Sequence, residues 1–230
     1  MEPHELKAAR LTKGLGQVEV AARLGVSQAY VNFLENGKRR LTPRLTRWFA
    51  AFYGLSADML PVAKDFRAEP TDNDHLAQAL GKLGYPGFAY LHSHVGKKNP
   101  GEVLLTALAQ ETLDGRVAHA LPWVALKYSH MRPEWLVDQA RRLNLQNRLG
   151  FVVTLARLVS EQRTQEANKA HELRALETAL DESRLAKEDA FYRKPKTESE
   201  KVWLRQNRPE AARHWNLLAD MRPEHLQYVG

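Results

Sequence analysis

Residues 24–38 read LGVSQAYVNFLENGK. Gly25 suits a left-handed helix stop that a β-branched residue resists, and Ser27 is a good N-cap for whatever follows. Gln28 to Asn36 then forms a helix of little more than two turns, with Val31 and Leu34 on one face. Gly37 ends it. On the other face stand Gln28, Ala29, Asn32 and Phe33, and directly behind comes the basic run Lys38, Arg39, Arg40. A helix framed this tightly is either a small packing element or one presented to a partner.

The neighbouring sequence extends the pattern on both sides. Helices are expected at Glu5–Leu11 and Gln17–Leu24, the second carrying small Ala21 where another helix must cross closely. Pro43 suits the first position of a further helix, because its missing N–H costs nothing there. That helix shows Leu45, Trp48, Phe49 and Phe52 on one face and stops at Gly54. Two short helices joined by a Gly-Val-Ser turn make a helix-turn-helix pattern, whose second helix enters the DNA major groove by its N-terminal end.

Taken together, Leu-x-x-Ala-Arg, Gln-x-x-x-Ala, Gly-Val-Ser, Leu-Glu-Asn-Gly-Lys and Pro over residues 5–60 resemble the phage-repressor-like (Cro-type, XRE family) helix-turn-helix DNA-binding proteins. One departure is Gly16, where such proteins usually place a Ser or Thr cap. The resemblance implies an all-α fold whose N-terminal part is a four- or five-helix lambda-repressor-like domain. It implies base reading by Gln28, Ala29, Asn32 and Phe33, with Gln28 pairing an adenine edge. Gln17, Ser27, Asn36, Lys38, Arg39, Arg40 and Arg44 become phosphate-binding residues that set register, Gln17 also buttressing Gln28. Arg10 and Glu35 resemble an internal ion pair with a structural role.

Charge points the same way. The net charge is +7, and residues 1–62 hold nine Lys/Arg against five Asp/Glu whereas residues 161–230 hold thirteen of each, so the excess lies at the N-terminal end. A local basic excess is the footprint of a phosphate-binding surface, although a solvated face would look alike from charge alone.

Beyond residue 65 no family is recognised. Residues 66–101 read as a polar linker and a Gly/Pro-rich connection with a short helix near His75–Leu83, and FAYLH (88–92) is the only plausible strand. Residues 102–230 read as a larger helical domain for dimerisation or partner binding. Its apolar faces are Val103–Leu108, Trp135–Leu143 and a wide arc from Leu145 to Val159. The narrow stripe Leu173, Leu176, Leu180 fits packing within the chain and pairing between chains equally well. MRPEWL (131–136) and MRPEHL (221–226) are two similar helix starts rather than a repeat.

Other chemistries find little support. There is no cysteine, so disulfides and thiolate metal sites are excluded and a reducing, cytoplasmic setting is expected. No apolar run is long enough for a membrane span. His92 and His94 lack a third ligand at metal-binding spacing, and no nucleophile set or phosphate-cradling loop occurs. No enzymatic activity, cofactor or metal is expected. The expected partners are double-stranded DNA and a second copy of the chain. The leading reading is a homodimeric repressor on a pseudo-palindrome. The other is an antitoxin or defence-system regulator whose residues 102–230 bind a protein and whose DNA binding is autoregulatory.

Overall fold

The structure, a computed structural model, describes residues 1–92, 96–164 and 166–228. The chain divides into two compact units, the first Met1–Ala63 and the second running from Lys64 onward. Among the described residues the fold is all-α except for one pair of two-residue strands.

The first unit comprises α1 (Pro3–Thr12), α2 (Gln17–Leu24), α3 (Gln28–Glu35) and α4 (Pro43–Tyr53), closed by a 3-10 turn at Ala57–Met59. Each start has a local cause. Pro3 and Pro43 sit at first-turn positions, and the Ser27 and Thr42 hydroxyls accept from the Tyr30 and Leu45 backbone N–H groups at 3.2 and 3.3 Å. Gly16 has no side chain to cap α2, but Glu19 reaches back and accepts from the Gly16 N–H at 2.7 Å, supplying half of a capping box. α2 ends at Gly25 with φ +71°, the left-handed conformation expected there. The apolar faces converge on a core of Leu6, Val20, Val31, Leu34, Phe49 and Tyr53.

The second unit contains α5 (Asn73–Lys82), α6 (Pro100–Ala109), α7 (Gly115–Lys127), α8 (Pro133–Arg142), α9 (Gln146–Val159), α10 (Ala167–Asp181), α11 (Glu198–Asn207) and α12 (Glu210–His214). Strands β1 (Asp189–Ala190) and β2 (Leu217–Leu218) pair in parallel between the later helices. α9 is central, packing against α6, α7, α8, α10 and α12. α10 lies along it and buries Leu173, Leu176 and Leu180, so the leucine stripe is satisfied within the chain.

Three expectations change, and one helix appears that none of them covers. The short helix expected near His75–Leu83 is present as α5, but its stretch belongs to the second unit rather than to a separate connection: α5 buries Leu76 and Leu80 and packs on α6 and α7. FAYLH forms no strand; Phe88 closes a 3-10 turn that begins at Pro86 and is buried against Tyr85. α7 is a helix that the sequence pattern does not announce, because Pro122 lies inside it and reads as a helix breaker. Its surroundings override that local cost, since every residue from Ala120 to Leu126 is buried. Of the paired Met-Arg-Pro-Glu starts, the first opens α8 and the second only a 3-10 turn at Pro223–His225.

α9 packs tightly at Gly150. A Cβ there would lie 2.4 Å from the ring of Trp215, which is fully buried and donates from Nε1 to Thr154 Oγ1 at 2.8 Å. The indole is enclosed and tethered, so it cannot step aside. Gly150→Ala should therefore destabilise the second unit by about 1–3 kcal/mol, the usual penalty of overpacking. Gly115→Ala, where a Cβ meets nothing within 4 Å, should change stability by no more than about 0.5 kcal/mol. Chemical denaturation followed by tryptophan fluorescence compares the two, and equal effects would contradict the packing argument.

Candidate nucleic-acid interface

The site is built from α2 and α3. α3 is two-faced: Val31, Leu34 and Glu35 are buried, while Gln28, Ala29 and Phe33 are exposed and Asn32 is half-buried. Because Ser27 caps α3, its free N-terminal turn begins with Gln28 and Ala29 facing solvent. Phe33 is 39% exposed, an unusual state for a phenylalanine with an apolar core close by. Asn36 donates from its amide to the backbone and side-chain oxygens of Asn32 at 2.9 and 3.1 Å, which uses the Asn32 acceptor and leaves its donor end.

α3 is fixed from behind by charge. Arg10 donates from Nε and Nη2 to the two carboxylate oxygens of Glu35 at 2.6 and 3.0 Å, and from Nη1 to the Leu15 carbonyl at 2.8 Å. Both side chains are almost fully enclosed. Gln17, the first residue of α2, donates its amide to the same carboxylate at 2.9 Å. Its partner is thus Glu35 rather than Gln28, and it locks α2 to α3 instead of bracing Gln28. Tyr53 from α4 lies beside the pair, and burial, reinforced by Glu35, pushes its phenol up to about 12. Tyr53 has no signal in the sequence beyond an apolar position on the α4 face.

Lys38, Arg39, Arg40 and Arg44 follow α3 and are all exposed, as is Arg47 on α4. None of the five enters an ion pair among the described residues. The Arg39 backbone N–H donates to the Phe33 carbonyl at 3.1 Å, so this basic segment stays attached to the end of α3. The structure thereby brings the exposed α3 face and five uncompensated cations onto one small unit. His94 lies outside the described residues, so the His92–His94 pair gains no geometry.

Residues 4–62 match the model of a family described as a helix-turn-helix domain. That segment is a helix-turn-helix domain. The match agrees with the likeness to XRE-type proteins and covers nearly the whole of the first unit. No curated protein and no solved structure matches the chain. No helix among the described residues is long and apolar enough to cross a membrane.

The Arg10–Glu35 pair makes the domain's stability depend on pH. Burial alone would raise the Glu35 pKa, but hydrogen bonds from Arg10 and Gln17, with the charges of Arg10 and Lys7, outweigh it and hold the carboxyl below its ordinary value. A carboxyl depressed by folding contributes stability above its ordinary range, and that contribution fades as pH falls through the folded value. Glu35→Gln leaves the Arg10 guanidinium enclosed without its counter-charge, so the domain should lose about 3 kcal/mol at neutral pH. The gap to the parent chain should narrow at acid pH, below the ordinary carboxylate range, as the parent loses the same charge. Hydrogen exchange of α1–α3 amides at both pH values reads the difference; a gap independent of pH would refute the assignment.

Proposed function

We propose that this protein is a sequence-specific DNA-binding transcriptional regulator, a homodimeric repressor that reads a pseudo-palindrome with α3. The observation that supports it most is the exposed face of α3 set beside cations that have no carboxylate partner. In this reading Gln28 presents an amide able to pair the N6/N7 edge of adenine, and Ala29 and Phe33 offer apolar contact to thymine methyl groups. Asn32 donates to bases or phosphate. Ser27, Asn36, Lys38, Arg39, Arg40 and Arg44 hold phosphates and set register without reading sequence. Gln17 contributes to phosphate binding through its place at the N-terminus of α2, while its side chain serves Glu35. Arg10 and Glu35 are structural. A head of this size reads few bases, so two heads on related half-sites are physically needed for useful specificity.

Base reading and phosphate holding separate experimentally. Gln28→Ala should cost about 1–3 kcal/mol on the specific site, at one symmetric pair of positions, and leave binding to random DNA almost unchanged. Replacing Arg39 and Arg40 together with Ala should weaken all sequences alike. The slope of log affinity against log salt should fall by about 0.9 for each phosphate that is no longer neutralised. Fluorescence anisotropy over a salt series measures both. Equal losses from Gln28→Ala on specific and random DNA, or an unchanged slope in the double variant, would place the DNA surface elsewhere.

Assembly is tested separately. Tying two weak heads together raises the effective concentration of the second, so affinity grows without any new kind of contact. The full chain should sediment as a dimer, and a 1–65 fragment should fold but bind the palindrome weakly. A full chain that stays monomeric on DNA would overturn the dimer and favour a regulator that works through a protein partner.

A further inference from the structure

α8 and α10 pack on each other in the second unit, and hydrogen bonds tie the segments at two places. At one end Ser129 Oγ donates to Glu172 Oε2 at 2.5 Å. At the other, Arg141 donates to the Ala179 carbonyl at 3.1 Å and to Ser183 Oγ at 2.9 Å. Between these ties the helices leave a groove of about 630 Å³. That volume lies within the range of small-molecule sites.

The groove is open because of what α10 places there. Ala175 and Ala179, one helical turn apart, face Val137 and Pro133 of α8, with Leu176 as part of the floor. Two methyl groups cannot fill the space that the end ties hold open. The floor is therefore apolar and unfilled by the chain's own side chains.

Its charge runs against that of the whole molecule. Glu134, Asp138, Glu172 and Glu182 line the groove together with His130 and His171; Arg141 reaches Glu182 at 3.8 Å and Arg142 reaches Asp138 at 4.0 Å, so four carboxylates face two guanidiniums. The chain itself carries +7. An acidic concavity in a basic protein repels phosphate and carboxylate ligands and attracts cations. Together the apolar floor and acidic rim fit one kind of occupant. We propose that the α8–α10 groove binds a small organic cation, a protonated or quaternary amine with an apolar body. The carboxylates hold the ammonium group at the rim, and the alanine-lined floor takes the hydrocarbon.

Three probes with the same body and different heads test this on the full chain: phenylbutylamine, phenylbutanol and phenylbutyrate, titrated by calorimetry at neutral pH. The amine should bind and the butyrate should bind at least about tenfold more weakly, the alcohol lying between them. Glu134→Gln with Asp138→Asn should weaken the amine about fivefold or more and leave the alcohol unchanged. Both positions are exposed, so the fold should not suffer. Ala175→Leu, also at an exposed position, should weaken all three by filling the groove. No binding of the amine, equal binding of all three probes, or indifference to the double rim variant would overturn the proposal. So would a concentration-dependent dimer that Ala175→Leu dissolves, since a second copy would then be the occupant.

Discussion

The Glu35 carboxylate accepts three hydrogen bonds, two from Arg10 of α1 and one from Gln17 of α2, and it is itself the last residue of α3. One buried group therefore joins three helices. α3 has only eight residues, too few to hold a helix in water without tertiary support. Its support is apolar at Val31 and Leu34 and ionic at Glu35. Val31 and Leu34 alone fix which face is buried, but greasy contacts tolerate sliding and rotation. A bidentate guanidinium–carboxylate pair does not, because its two hydrogen bonds demand one plane and one register. The orientation of Gln28, Ala29 and Phe33 toward solvent is thus set from the opposite side of the helix.

That arrangement explains why so much of the first unit was legible in the sequence. Its signals are local: Gly25 in a left-handed stop, Ser27 as a cap, Pro43 at a helix start, and an amphipathic period that needs no knowledge of distant residues. What was not legible was partner choice. Nothing in the spacing says whether the Gln17 amide turns toward Gln28 or toward Glu35, since both lie on the next helix. The competition is decided by charge, an enclosed carboxylate being a stronger acceptor than a neutral amide. Tyr53 escaped for a similar reason, because its nearness to the ion pair depends on how α4 folds back.

The second unit was harder to read for a different physical reason. Its elements override local preference. α7 carries Pro122 through its middle because burial around Ala120–Leu126 outweighs a missing backbone hydrogen bond. α5 lies in a stretch of polar and Gly/Pro-rich composition, yet Leu76 and Leu80 are enough to dock it on α6 and α7. The two-residue strands are too short to leave any alternation. Their pairing is braced by Arg148 of α9, which binds Asp189 at 2.7 and 3.2 Å and also donates to the Leu108 and Gln110 carbonyls. A single arginine reaching segments far apart in sequence has no signature in a one-dimensional pattern.

The use of arginine separates the two units most clearly. In the second, several arginines serve the fold: Arg157 pairs with Glu177 and Glu161, Arg148 with Asp189, Arg205 and Arg208 with Glu188. Each pair cancels field outside the protein. In the first, Arg10 is the arginine engaged this way among the described residues, and Lys38, Arg39, Arg40, Arg44 and Arg47 stand exposed without an ion pair there. Unpaired surface cations contribute nothing to folding, and their mutual repulsion costs a little stability. They are stabilised by meeting a polyanion, because each phosphate they neutralise releases condensed counterions into solution. Nine cations against five acids is therefore less telling as a count than as a distribution. The domain carries most of its positive charge where only an external partner can neutralise it.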